Sequence, residues 1–215
     1  MTLRYRKGTQ CQLLQERLNT TGEASAETTK TTTEHPKIAK PLLTTTTTTG
    51  QWAHLSAGDL LRAERQKNGP MATTINDAIS AGRIVPAEIT VQLLQIAMQE
   101  ASFTRGCTKF LIDGFPRSEG NVQLWEQTMK QHKVEFVLNL ECPEEVLVGR
   151  LLERGQTSGR SDDQIDVIRK RFHTFQEECK PIVEMYSKQN MVRTIPADQP
   201  VEAVYEQIAA LFHGL

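Results

Sequence analysis

Lys109-Phe-Leu-Ile-Asp-Gly-Phe-Pro-Arg117 is the stretch on which the fold turns. Phe110, Leu111 and Ile112 form a short apolar run that Asp113-Gly114 stops. Pro116 lacks a backbone N–H and forbids a ladder beyond it. The run therefore reads as a buried parallel strand whose carboxyl end delivers Asp113 and Arg117 to a crevice. Ligands of open α/β sheets sit outside such ends. A carboxylate that suits a metal ion's water and a guanidinium that forks onto phosphate then share one edge. The same residues also read as a strand and tight turn with Asp113 and Arg117 merely solvated, so the decision passes to the flanking segments.

Downstream, 118–132 is helical, with Val122, Leu124, Trp125 and Met129 at core spacing. Val134 to Leu140 is a second buried strand, and Pro143 starts a helix with Val146, Leu147 and Leu151 inward. Gly155 to Gly159 breaks the periodicity. A long helix over 162–179, another from Pro181, a strand over 191–195 and a helix over 200–212 complete this half. Upstream, Pro86 opens a helix to about Ala101, with Ile89, Leu93, Ile96 and Ala97 on its buried face. A helix over 73–81 stops at Gly82, and Arg83-Ile-Val-Pro86 is an extended connector. Trp52 to Leu55 is a short strand, and Ser56 caps a helix whose start Asp59 complements. Thr9 to Leu18 is a helix on the spacing of Cys11, Leu14 and Leu18. The alternation predicts an α/β fold: a three-layer parallel sheet with helices on both faces, in a single domain over 1–215.

Residues 19–50 are different material, rich in threonine and ending in the unbroken run Thr44–Thr49. Such a segment buries too little apolar surface to offset its ordering entropy, so a disordered insert is expected. Lys and Arg total 25 against 26 Asp and Glu, which disfavours non-specific binding to nucleic acid. Cys11, Cys107, Cys142 and Cys179 form no close pair and suit reduced thiols in an intracellular protein. No apolar run approaches the roughly 20 residues that cross a bilayer. The first residues lack the apolar core of a secretory signal.

Basic residues recur at element ends: Lys7, Arg62, Arg117, Arg154, Arg160 and Arg169 to Arg171. Arginine at a strand end or in a Gly-rich loop needs an anionic partner. At most one or two of Arg169, Lys170 and Arg171 face one ligand, since successive helical residues point apart. The segment 155–163 reads either as a surface loop before a capped helix or as a flap that carries Arg154 and Arg160 over a phosphate chain. Lys7-Gly8-Thr9 matches the second half of a phosphate-binding loop, G-x-x-x-x-G-K-[ST], but no glycine precedes it at the required spacing. Asn121 lies four residues after Arg117, one helical turn on, and its amide offers both a donor and an acceptor.

Five segments in register resemble the nucleoside monophosphate kinases of the adenylate kinase type. They are Ser56-Ala-Gly-Asp-Leu-Leu-Arg62, Gly82-Arg-Ile-Val-Pro86, Asp113-Gly-Phe-Pro-Arg117, Glu153-Arg-Gly155 and Ser158-Gly-Arg-Ser-Asp-Asp163. The similarity runs from about Trp52 to Phe212, with Lys7 to Leu18 in addition, and is strongest to the branch that acts on UMP and CMP. It implies phosphoryl transfer from MgATP to a pyrimidine nucleoside monophosphate (CMP, UMP or dCMP), in pyrimidine nucleotide metabolism. Residues 56–85 are then the monophosphate-binding flap, and 153–163 the lid over ATP. Ser56, Gly58, Arg62, Arg83, Ile84, Val85, Gly114, Phe115, Pro116, Arg117, Asn121, Arg160 and Arg171 hold the monophosphate. Lys7, Gly8, Thr9, Arg154 and Gln199 hold ATP. Lys7, Arg117, Arg160 and Arg171 neutralise the transferring group, and Asp113 positions Mg2+ through water, with Thr9 as a further ligand. Adenylate kinases carry glutamine where this chain has Asn121, whereas pyrimidine-specific relatives carry asparagine. The resemblance further implies a monomer in the cytoplasm, with the nucleus as a second location.

One region departs from the pattern. Arg4, Tyr5 and Arg6 stand where the family has glycines that let backbone N–H groups wrap the donor phosphates, and no apolar strand precedes them. The expectation is a sheet without its first strand and a weakened kinase. Two other readings follow: a catalytically impaired nucleotide-binding relative, or an adenylate kinase.

Overall fold

The computed structural model describes residues 7–24, 51–158 and 165–213. Helix α1 spans Lys7–Ala24, strand β1 Gln51–Ser56, α2 Ala57–Gln66, α3 Ala72–Ser80 and α4 Ala87–Arg105. Then come β2 (Cys107–Asp113), α5 (Glu119–Thr128), β3 (Val137–Glu141) and α6 (Glu144–Ser158). Helix α7 (Ile165–Thr174) passes through a π-helical turn (Phe175–Cys179) into α8 (Lys180–Lys188), followed by β4 (Val192–Pro196) and α9 (Val201–Ala210). Pro181 has no N–H and its ring crowds the carbonyl four residues back, which the wider π turn just before it accommodates.

Strands and helices alternate and the strand pairs are parallel, as the pattern predicts. β1 pairs with β2 from Gln51↔Cys107 to Ser56↔Asp113, and β3 with β4 from Val137↔Val192 to Glu141↔Pro196. The sheet, however, comes in two halves of two strands, and among the described residues no ladder joins β2 to β3. The halves nevertheless share a core. On one face α1, α9 and the turn after α9 bring Leu14, Ile208 and Phe212 onto Trp52 and Leu111 of the first half and onto Leu138 and Leu140 of the second. On the other, α4 and α5 bury Val91, Leu94, Met98 and Trp125 against Leu55, Phe110 and Ile112. Alternate residues of β1 and β2 thus feed opposite layers, the two-residue period of a strand covered on both faces.

Four expectations need correction. Phe110, Leu111 and Ile112 are half-buried rather than buried, because β2 borders a cavity on the edge away from β1. Ile96 is 52% exposed, whereas Thr90, Val91, Leu94, Met98 and Ala101 face the core. Those positions follow a 3.6-residue period that leaves 96 outside. Helix α1 continues past Leu18 to Ala24, held where Asn19 accepts a hydrogen bond from Trp52 N (2.8 Å) and donates one to Trp52 O (3.2 Å). Helix α6 runs through Gly155 to Ser158 where a loop was expected. The rest of the threonine-rich segment, 25–50, lies outside the described residues.

Candidate functional site

The carboxyl ends of β1 and β2 lie side by side, with Ser56 and Asp113 in register. From Ser56 the chain turns directly into α2, whose first turn Ser56 caps by accepting from Asp59 N (3.3 Å). One turn on, Arg62 pairs with Asp59. Its guanidinium lies over Gly58, where an added Cβ would stand 3.2 Å from Nη2. From Asp113 the chain enters Gly114, at φ +77°, and a cis Phe115–Pro116 bond leads to Arg117. The Arg117 side chain folds back so that Nε donates to Gly114 O at 2.7 Å, and an added Cβ at 114 would meet Nη2 at 2.8 Å. Only glycine combines that positive φ with that approach. Phe115 packs on Trp125 at 5.3 Å between ring centroids, which fixes the loop to α5.

Asn121 is the most constrained polar side chain at this edge. It is 1% exposed, accepts from Arg117 N through Oδ1 (3.1 Å), and is itself placed by the Ser118 cap, which accepts from Asn121 N at 3.3 Å. Its Nδ2 is buried with no hydrogen-bond partner among the described residues. A buried amide donor with nothing to bind is costly, so the geometry keeps a directed donor in reserve.

These residues open onto one cavity of about 1680 Å³. Ser56, Gly58 and Arg62 line it from the β1–α2 junction, and Arg83, Ile84 and Val85 from the connector after α3. Asp113 through Arg117, with Asn121, line it from the end of β2 onward, and Arg154 and Arg171 reach it from α6 and α7. Thr9 borders it from the first turn of α1, in which Lys7 and Gly8 are the first residues. That helix start favours anions by its dipole and free N–H groups. One expected residue, Gln199, does not border the cavity. Gln199 accepts from Gln207 Nε2 (3.0 Å), and Ala197 rather than Gln199 borders the cavity. Arg160 lies outside the described residues, as do Arg4, Tyr5, Arg6 and all of the expected lid beyond Ser158.

Several site neighbours escaped the sequence reading. Arg150 donates to Ala197 O (2.7 Å) and so ties α6 to the loop after β4; its place one turn before Arg154 was the available signal. Cys179 donates from Sγ to Arg117 O (3.2 Å), and Thr174 to Gly82 O (3.0 Å), both from the α7–α8 region. His54 lines the cavity from β1, with Nε2 buried and without a hydrogen-bond partner among the described residues. Burial pushes its pKa down, opposed by the charges of Asp113 and Asp59. Within an apolar strand it carried no signal of its own. Among the described residues no three His, Cys, Asp or Glu side chains gather as metal ligands, and no helix is long and apolar enough to cross a membrane.

Residues 41–191 match the family model described as adenylate kinase. The chain belongs to that family. It is 44% identical over 164 residues to the UMP-CMP kinase of Gallus gallus, covering 75% of this chain and 84% of the relative. It is 47% identical over 161 residues to UMP-CMP kinase 3 of Arabidopsis thaliana (75% and 76%) and 40% over 164 residues to the UMP-CMP kinase of Homo sapiens (75% and 84%). As a member of the adenylate kinase family, the chain is a nucleoside monophosphate kinase by descent, and the cavity at the strand ends lies where such α/β sheets bind ligands.

Proposed function

We propose that the chain transfers the terminal phosphoryl group of ATP to a pyrimidine nucleoside monophosphate, CMP, UMP or dCMP. The observation that carries the pyrimidine assignment is Asn121, buried and fixed through Oδ1, with an unused Nδ2 donor beside Arg117. Relatives named UMP-CMP kinase support it.

In this reading Arg62 and Arg117 grip the monophosphate, while Ile84 and Val85 and the main chain of Arg83 lie along its nucleoside. ATP lies along the start of α1, with Lys7, Gly8 and Thr9 at its phosphates. Arg154, Arg160 and Arg171 close over the phosphate chain as the segment 153–163 comes down. A phosphate oxygen of the acceptor attacks the terminal phosphorus in line, the bond to the bridging oxygen breaks, and ADP leaves with that electron pair. Positioning and charge neutralisation supply the rate, and closure excludes water. Mg2+ fits the donor set: Asp113, half-buried beside Ser56, offers one carboxylate and Thr9 a hydroxyl. So sparse a set suits an ion held largely by water and substrate phosphates, where it neutralises charge on the phosphate chain. The protein acts as a monomer in the cytoplasm.

The test is ATP-dependent phosphorylation of CMP, UMP and AMP by the purified chain. Product from CMP or UMP well above that from AMP is the expected result. Equal or better use of AMP would make it an adenylate kinase. Binding of CMP without any product would make it a silent relative.

A further inference from the structure

We propose that Thr174 is a positioning residue for the monophosphate: its hydroxyl latches the connector 82–85 to the helix that carries Arg171. The inference rests on the kinase reading above for its ligand, but not on which base that ligand carries. Thr174 is the last residue of α7, and its Oγ1 donates to the main-chain O of Gly82, 92 residues away in sequence, at 3.0 Å. The approach is close: an added Cβ at Gly82 would stand 2.9 Å from Lys170 Cβ and 3.4 Å from Arg171 N. Gly82 N and Arg83 N are engaged elsewhere, on Ile79 O (3.1 Å) and Ala78 O (2.9 Å) at the end of α3. Gly82 is therefore where α3 ends and its own carbonyl turns to α7, at the φ of +68° that this reversal needs.

What the hydroxyl aligns follows from its neighbours. Arg83, Ile84 and Val85 come directly after Gly82 and line the cavity, as does Arg171, three residues before Thr174 on α7. Five residues after Thr174, at the end of the π-helical turn, Cys179 donates to Arg117 O at 3.2 Å. One run of helix thus holds the start of the connector, carries one arginine of the cavity and braces the loop of another. The apolar core beneath the connector, centred on Ile75, Ala78 and Val85, draws on no described residue of α7. Alignment of the connector with Arg171 then falls to the contact at Gly82. The latch is also built to release. The same hydroxyl lies 3.0 Å from Lys170 O, the carbonyl one helical turn back. It has one hydrogen for two acceptors at equal distance. When the connector moves away, the hydrogen turns to Lys170 O, the ordinary acceptor for a helical threonine, and no donor is orphaned.

The experiment compares the full chain with Thr174→Val, which keeps the shape and loses the donor, and Thr174→Ser, which keeps the donor. Amide hydrogen exchange is followed in 82–85 and, as a control, in 137–141 of β3; CMP, UMP, AMP and ATP are titrated by calorimetry. In the valine variant exchange in 82–85 should speed by about 3- to 10-fold with β3 unchanged. The dissociation constant of the monophosphate that the wild type binds tightest should rise by about the same factor, and that of ATP by less than about twofold. Serine should restore both. Equal speeding in β3 would show that Thr174 merely stabilises the fold and would overturn the proposal. So would unchanged exchange in 82–85, unchanged affinity for the monophosphate, a loss shared equally by ATP, or a serine variant that behaves as the valine one does. A wild type that prefers AMP would refute the pyrimidine assignment alone, because the variants are then judged on AMP. A wild type that binds none of the three monophosphates would refute both.

Discussion

Replacing Asn121 with aspartate separates the two jobs its amide is given. The side chain is isosteric, so Oδ1 still accepts from Arg117 N and the loop of Arg117 stays in place. What changes is the other terminus: the buried Nδ2 donor, without a partner among the described residues, becomes an oxygen that only accepts, and the carboxylate adds a negative charge that opposes the anionic ligand. If Nδ2 binds the base, the variant loses one buried hydrogen bond and leaves an acceptor facing an acceptor. A buried polar group left unpaired costs about 1–3 kcal/mol, which corresponds to about 5- to 150-fold in affinity. The assay is calorimetric titration of CMP, with ATP titrated in parallel as the internal control because ATP is assigned to the other end of the cavity. With the added charge, the dissociation constant for CMP should rise by at least about fivefold while that for ATP changes by less than about twofold. An unchanged CMP affinity, or an equal loss for both nucleotides, would refute the assignment of Asn121 to the base. Asn121→Gln tests the same position from the other side and should raise the use of AMP relative to CMP.

Three further outcomes follow from the local geometry. Ser56→Ala removes the oxygen that caps α2 and should lower stability by about 1 kcal/mol in urea unfolding, with Ser56→Thr restoring most of it. Gly82→Ala places a Cβ at φ +68° and 2.9 Å from Lys170 Cβ; unfolding should show a loss of at least about 1 kcal/mol, and a neutral result would mean the contact is not tight. His54 has its folded pKa below the unfolded value, so its contribution is fully present above about 6.5 and is lost as pH falls from there towards the lower folded pKa. The urea midpoint should therefore fall through that window, and His54→Gln should flatten the slope.

Much of this was legible in the sequence because the relevant rules are local. Ser56 as a cap, Gly82 as a helix stop and Gly114 as a turn each rest on one residue's own conformational preference. The layered parallel architecture followed from alternating strand and helix periods. Periodicity failed where burial depends on distant partners. Phe110 to Ile112 looked like a central strand, yet their burial depends on what lies beside β2, which no local pattern reports. Ile96 reads as core because it is apolar, but the partner surfaces of α4 cover the stripe of 90, 91, 93, 94, 98 and 101, which includes the expected Leu93 and leaves out Ile96. Gly155 suggested a break, but one glycine costs only about 1 kcal/mol in a helix, and α6 carries it. The contacts that brace Arg117 from behind, Cys179 and Asn121, span up to 62 residues of sequence and had no local signature beyond the spacing of Asn121.

The central claim is that one arginine-lined cavity holds two nucleotides end to end. Its most direct test is the affinity for a mimic that joins adenosine to a pyrimidine nucleoside through a phosphate chain, measured by calorimetry against ATP and CMP alone. The account predicts one site per chain, binding at least about a hundredfold tighter than either nucleotide, with Arg117→Gln removing most of the gain. Affinity for the mimic no better than for ATP alone would contradict it.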